Sequence, residues 1–251
     1  MQYKVRSVKG KKSQTNEDNF SLPFGKGLLI KQPDFQKFGF LFLVCDGMGG
    51  NRAGEVASRL CAKWFWEEYY FKHSSTTDIF QRLGKVITDV NIHLFYHAAE
   101  NPDFLGMGTT LVGVLIKSGY AYFFNVGDSR AYICAIGELQ QITEDDSEIW
   151  DLYRKGLIKK DEILTNRRKN FITEAMATKP AIKYHLYDPI KLPEHYTILL
   201  CSDGLHDVLV DAQIAEILDR DRSSKKKCEL LIKKAIELDS RDDITVIVVE
   251  D

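Results

Sequence analysis

The chain has 251 residues, 44% of them hydrophobic and 28% charged, a composition that buries a sizeable core in a single domain spanning 1–251. Lys and Arg number 34 against 36 Asp and Glu, so the net charge is −2 and lacks the basic field that nucleic-acid or anionic-membrane binding requires. Five scattered cysteines, Cys45, Cys61, Cys134, Cys201 and Cys228, read as free thiols of a reducing cytoplasm, and neither a signal core nor a run of roughly 20 apolar residues marks the chain as secreted or membrane-embedded.

In chain order, residues 38–45 (FGFLFLVC) form the first short apolar run rich in aromatic and β-branched residues, and the reading is a strand. Two helical patterns follow. The first places Val56, Leu60 and Trp64 at intervals of four; the second places Ile79, Leu83, Ile87 and Leu94 on one face, with Thr76 or Thr77 as its cap. Further strands are expected at 109–116, 120–126 and 131–136. The connections at Gly119 and at 127–130 are too short for parallel crossovers, so the sheets should be largely antiparallel. Residues 144–180 are more polar and predict a partly helical surface excursion. Strand 196–201, helices after Asp211 and after Ser223 or Ser224, and strand 244–249 complete the chain, giving an α+β layered fold.

Three of these strands end at, or abut, aspartate: Asp46 in FLFLVCDGMGG, Asp203 in YTILLCSDGL, and Asp242 with Asp243 before ITVIVV. An isolated Asp-Gly is most simply a turn. Several carboxylates at the rims of rigid strands, with Glu17 and Asp18 adding oxygens, make a cage suited to hard cations such as Mg²⁺ or Mn²⁺. The absence of a Cys/His cluster argues against zinc.

The ordered motifs NEDNF (16–20), DGMGG (46–50), GTT (108–110), VGDSR (126–130), SDGLHD (202–207) and DDITVIVV (242–249) resemble the metal-dependent, type 2C-like Ser/Thr protein phosphatases in their compact bacterial form. The resemblance implies a four-layer α-β-β-α sandwich and a cleft holding two Mn²⁺ or Mg²⁺ ions. In it Asp46 bridges both ions, Asp203 and Asp242 complete one, and Glu17 with the Gly47 carbonyl binds the other. Asp128 and Asp207 match a third, weaker metal position. It implies hydrolysis of phosphoserine and phosphothreonine by direct attack of a water shared between the two ions, without a phosphoenzyme. Phosphorylated proteins and a cognate Ser/Thr kinase are the implied partners, the chain itself acting as a monomer. Residues 147–178 resemble the family's flap, which helps to choose substrates.

Departures from the pattern matter too. Relatives usually carry an arginine where this chain has Ser13, so Lys11, Lys12 and Ser13 are the candidate phosphate contacts, with Lys11 on the same face as Ser13 if the segment is extended. That departure motivates an alternative, a catalytically impaired relative that binds phosphoproteins. Met48 stands where many eukaryotic relatives place a histidine, leaving protonation of the leaving alkoxide to water or a metal-bound group. Asp243 replaces a common asparagine.

Competing readings are weaker. Cys45 followed by Arg52 has six intervening residues where a cysteine phosphatase needs five, so Cys45 reads as a buried strand-end thiol. His93 and His97 lack the glutamate of a metalloprotease pattern and read as a plain helix face. His206 is expected at the cleft edge or in packing, and Lys225–Lys227 as a solvated helix face, while Arg167–Lys169 is a candidate contact for acidic or phosphorylated substrate. A two-metal nuclease would share the carboxylates but lacks a basic groove.

Overall fold

In the computed structural model, which describes residues 1–12, 14–24, 33–49, 53–72, 75, 77–159, 162–163, 171–219 and 222–251, every expected strand is present. The first sheet contains β1 (Gln2–Val8), β12 (Ile244–Glu250), β11 (Thr197–Cys201), β7 (Arg130–Ala135) and β8 (Glu138–Gln141), in that spatial order. The second runs β10 (Ile190–Lys191), β6 (Tyr120–Val126), β5 (Leu111–Lys117), β3 (Phe40–Met48) and β2 (Asp18–Ser21), with β4 (Gly108–Thr109) beside β3 and β9 (His185–Leu186) beside β6. All described pairings are antiparallel.

Alternation along the central strands explains the layers. On β3, Phe42 and Val44 face the other sheet, while Leu41, Leu43 and Cys45 face helices α2 (Ala53–Glu67) and α3 (Ile79–Glu100). On β12, Ile247 and Val249 face inward between the sheets; Val246 and Val248 meet α5 (Asp203–His206), α6 (Asp211–Leu218) and α7 (Ser224–Glu237). Strands covered on both faces read as unbroken apolar runs, which is why these were legible. The result is an α-β-β-α sandwich whose middle layer is the inter-sheet core of Val112, Val114, Ala131, Ile198 and Leu200. Short α1 (Phe35–Phe38) precedes β3, and α4 (Glu148–Arg154) opens the polar excursion. None of the helices in the described residues is long and apolar enough to cross a membrane.

Two expectations are corrected. The cap of α3 is Asp78, whose Oδ1 accepts from the Gln81 amide at 2.7 Å, because a carboxylate at the N-cap also faces the helix dipole. In the Lys225–Lys227 run only the first two residues are exposed; Lys227 is 5% exposed, its ammonium donating to Thr197 Oγ1 at 2.9 Å and Glu250 Oε2 at 2.8 Å. The α7 periodicity turns that third lysine toward the sheet.

Candidate active site

All the strand ends that carry aspartate come out at one end of the sandwich. Asp46 lies two residues before the end of β3, and β2 starts beside it, so Asp18 is its direct cross-strand partner. Asp203 follows β11, Asp242 and Asp243 precede the antiparallel β12, and Asp128 sits in the connection from β6 to β7. The Asp46 backbone is fixed by threonines of the GTT motif: its N–H donates to Thr110 Oγ1 at 2.9 Å, and its carbonyl accepts from Thr110 N at 2.8 Å and Thr109 Oγ1 at 2.8 Å.

The two Asp-Gly pairs are not turns. Neither Gly47 nor Gly204 has a positive φ; Gly47 lies within β3 and Gly204 within α5. A Cβ on Gly47 would stand 2.1 Å from Gly54 O and 2.7 Å from Glu17 O, and one on Gly204 would stand 2.1 Å from Asp243 O. Both glycines let backbones meet closely behind the carboxylates, a requirement indistinguishable from a turn signal in sequence.

Asp243 has a definite place that sequence reasoning missed. Buried to 4% exposure, it accepts from Gly10 N–H through Oδ1 and from Glu17 N–H through Oδ2, each at 2.7 Å. The Glu17 carbonyl accepts in turn from Ser58 Oγ at 2.5 Å and Gly47 N at 3.2 Å, so the Glu17 backbone is held on both sides. Asp243 thus staples the segment before Glu17 to the start of β12, and the available signal was only that an acid stood beside another acid.

Electrostatically the cluster is frustrated when bare. Asp46 and Asp203 are held well above the usual carboxylate range, first by burial and then by neighbouring acids: Asp18, Asp203, Asp128 and Asp242 for Asp46, and Asp128, Asp207, Asp242 and Asp18 for Asp203. Burial pushes Asp18 up to about 7 against a 2.7 Å bond from Ser202 Oγ, and pushes Asp128 up to about 7 with Asp145 and Asp207 adding to it. Glu17 is raised by burial and by Asp243, Asp242 and Glu55. Two fully buried oxygens, Asp18 Oδ1 and Asp128 Oδ1, accept no hydrogen bond among the described residues. The buried Arg130 nearby is committed to Asp145, at 2.7 Å from Nη2 to Oδ2. Concentrated, under-satisfied hard oxygens of one sign fit divalent cations. Among the described residues no three acidic, imidazole or thiol side chains are drawn together closely enough to hold an ion unaided. Repulsion between bare carboxylates opposes such closure, and a divalent charge reverses it.

Other expected residues take varied places. Asp207 lies just after α5 and raises both Asp128 and Asp203. Lys11 pairs with Asp239 at 2.8 Å on the surface, Lys12 bonds the Arg241 carbonyl through its backbone N–H at 3.0 Å, and Ser13, Arg52 and the Arg167–Lys169 run lie outside the described residues. His206 is 3% exposed, with Nε2 at 3.1 Å from the Asp128 carbonyl, a packing position behind the cleft. His93 and His97 set their rings edge-on to Trp64, and all five cysteines are buried and none is in a disulfide.

Comparison with known proteins agrees with this geometry. Residues 34–230 match the family described as Protein phosphatase 2C. The chain is 33% identical to the serine/threonine phosphatase stp of Listeria innocua, over 100% of this chain and 96% of that protein. The crystal structure of Serine/threonine phosphatase Stp1 from Staphylococcus aureus superposes with a TM-score of 0.85 at 29% identity, covering 98% of this chain and 93% of that one. The catalytic domain of the serine threonine protein phosphatase PstP in complex with two manganese ions does so with a TM-score of 0.80 at 28% identity, covering 100% and 97%. The chain belongs to the protein phosphatase 2C family and is a serine/threonine phosphatase of the bacterial kind.

Proposed function

We propose that this phosphatase is cation-dependent and dephosphorylates phosphoserine and phosphothreonine in proteins by direct hydrolysis. The observation that supports it most is the convergence of mutually repelling carboxylates at one end of the sandwich, Asp18 and Asp128 buried and Asp46 and Asp203 half-buried, with Asp18 Oδ1 and Asp128 Oδ1 unpaired among the described residues. Asp46, Asp203 and Asp242 would hold one ion, Asp46 with Glu17 and the Gly47 carbonyl a second, and Asp128 with Asp207 a weaker third. When bound, Mn²⁺ or Mg²⁺ supplies the Lewis acidity that activates water and offsets charge on the phosphoryl oxygens.

The remaining work falls to this chain. Thr109 and Thr110 fix the backbone from which Asp46 projects, Ser202 orients Asp18 by donating to Oδ2, and Asp243 sets the position of Glu17. Lys11, Lys12 and Ser13 remain the candidate contacts for substrate phosphate; for Lys11 this means exchanging an exposed pair with Asp239, which costs little. His206 is buried behind the Asp128 carbonyl, so protonation of the leaving alkoxide falls to solvent. A rigid sheet end is not needed at the flap, residues 147–178, whose role in this reading is to choose among phosphoproteins.

The same reading takes 1–251 as one catalytic domain, monomeric and cytoplasmic, opposing a Ser/Thr kinase. A catalytically impaired phosphoprotein binder, suggested by Ser13, gains no support from a cleft that keeps Asp46, Asp203 and Asp242. Turnover of phosphoserine and phosphothreonine peptides with Mn²⁺, Mg²⁺, Ca²⁺ or chelator tests the proposal: activity with Mn²⁺ or Mg²⁺ and none in chelator is expected, and full turnover in chelator would refute it.

A further inference from the structure

Both ends of the flap-like segment are bonded to backbone that carries or supports the site carboxylates. At the leading end Asp146 and Gly127 bond reciprocally: Asp146 N donates to Gly127 O, and Gly127 N donates to Asp146 Oδ2, both at 3.0 Å. The other carboxylate oxygen, Oδ1, lies 2.8 Å from His185 Nε2 on β9, and the Asp146 carbonyl accepts from Thr173 N at 2.7 Å on the flap's return. At the trailing end Met176 and Thr109 bond reciprocally at 3.2 and 2.9 Å, and Thr109 donates to the Asp46 carbonyl. Gly127 immediately precedes Asp128. Its φ of +94° and the 2.9 Å that a Cβ would leave to Thr110 Cγ2 fix this turn against Thr110, which also holds Asp46. On the other side of Asp128, Arg130 is gripped by Asp145. Consecutive acids at the flap root therefore clamp both flanks of Asp128, whose own Oδ1 has no partner among the described residues.

We infer that Asp146, braced by His185, is a positioning residue for Asp128: through it the root of the flap sets where the Asp128 carboxylate stands in the cleft. With no hydrogen bond to Oδ1 among the described residues, the Asp128 side chain takes its place from the backbone beneath it, and that backbone is held at 127 by a carboxylate that is itself 5% exposed. Supporting partners of this kind govern how well a ligating group meets its ion. The inference rests on Asp128 being a cation-binding carboxylate, and the experiment separates the two.

Chelator-stripped protein is titrated with Mn²⁺ in a calorimeter, alongside melting without cation and kcat and KM on a small aryl phosphate. Asp128→Ala is the reference and should abolish the weakest binding phase. Asp146→Ala removes the acceptor of the Gly127 N–H and should weaken that same phase at least about tenfold, leaving the tighter phases within about twofold. Asp146→Asn keeps an oxygen for Gly127 and an amide for the other imidazole tautomer, so the weak phase should return to within about threefold of wild type. If Asp146→Ala does not fold, His185→Gln, which frees Oδ1 but spares the Gly127 bond, should weaken the phase by a few-fold. Loss of the phase in Asp128→Ala but not in Asp146→Ala or His185→Gln overturns the inference and leaves the reading of Asp128 standing. Equal losses in Asp146→Ala and Asp146→Asn that track melting overturn it too, since Asp146 would then only staple the fold. An unchanged titration in Asp128→Ala overturns the reading of Asp128 and this inference with it.

Discussion

Replacing Asp243 tests whether a single buried carboxylate holds Glu17 in place. Asp243→Asn and Asp243→Ala delete the same negative charge, so both relieve the repulsion that Asp243 exerts on Glu17 and Asp18 by the same amount. Their difference isolates the hydrogen bonds. The wild-type side chain accepts from two backbone N–H groups at 2.7 Å. Asparagine retains one acceptor and turns an amide donor toward the other N–H; alanine leaves both unpaired in a site where Asp243 is buried. An unsatisfied buried donor costs about 1–3 kcal/mol, so alanine should lie below asparagine by roughly that amount. For a chain of this size that corresponds to a difference in Tm of roughly 2–12 °C. Urea unfolding and melting of the two variants in chelator measure it, with kcat at saturating Mn²⁺ as a second readout. The kcat of Asp243→Ala should fall further, because Glu17 loses its anchor. Variants equal within about 0.5 kcal/mol, with equal kcat, would show that these bonds do not hold the segment.

Asp46→Asn and Asp203→Asn should each keep less than about a tenth of wild-type kcat while melting higher than wild type in chelator, because each removes one of a set of half-buried and buried, mutually repelling acids; a stripped variant that melts lower would contradict the electrostatic account. The bond that His185 donates to Asp146 raises the affinity of His185 for its proton, so this pair stabilises the fold fully below about pH 6.5, the unfolded value, and the contribution is lost as pH rises through the folded one. The stability gap between wild type and His185→Gln, read from urea unfolding, should therefore be larger at pH 5.5 than at pH 8.5, and a gap that grows with pH would refute the pairing. If the phosphate position beside Ser13 is vacant, Ser13→Arg should raise kcat/KM on phosphopeptides about ten- to a hundredfold and Lys11→Ala should change it less than about twofold; if Lys11 exchanges its exposed pair with Asp239 for the phosphate, the pattern reverses, and both variants staying within about twofold would refute a phosphate contact in this segment. Exchanging residues 155–170, which leaves Ser147, Thr173 and Met176 in place, should alter preference among phosphopeptides far more than aryl phosphate turnover, whereas deleting 147–178 should impair both.

The doubly covered strands were legible because burial on both faces leaves no polar residue to break the run, and α2 and α3 because their apolar stripes keep helical spacing. Strand β1 escaped notice although its burial alternates along QYKVRSV, because an edge strand with Lys4 and Arg6 on its outer face resembles a basic terminus. The strand-end aspartates were visible as types and order, since strands of alternating direction must bring Asp46, Asp203 and Asp242 to one end. What sequence could not show was the work of Asp243, Asp146 and Lys227, each of which bonds a segment more than 15 positions away, and the reason for Gly47 and Gly204, which is the close approach of another backbone rather than a turn.

The central claim is that the carboxylates at this sheet end hold a pair of divalent cations joined by Asp46. Calorimetric titration of Mn²⁺ into chelator-stripped wild-type protein and Asp46→Asn tests it most directly. Two tightly bound equivalents in the wild type, both lost or weakened by at least about a hundredfold in Asp46→Asn, are predicted. A wild-type protein that binds no Mn²⁺ tightly, or an Asp46→Asn variant that still binds two equivalents with unchanged affinity, would contradict it.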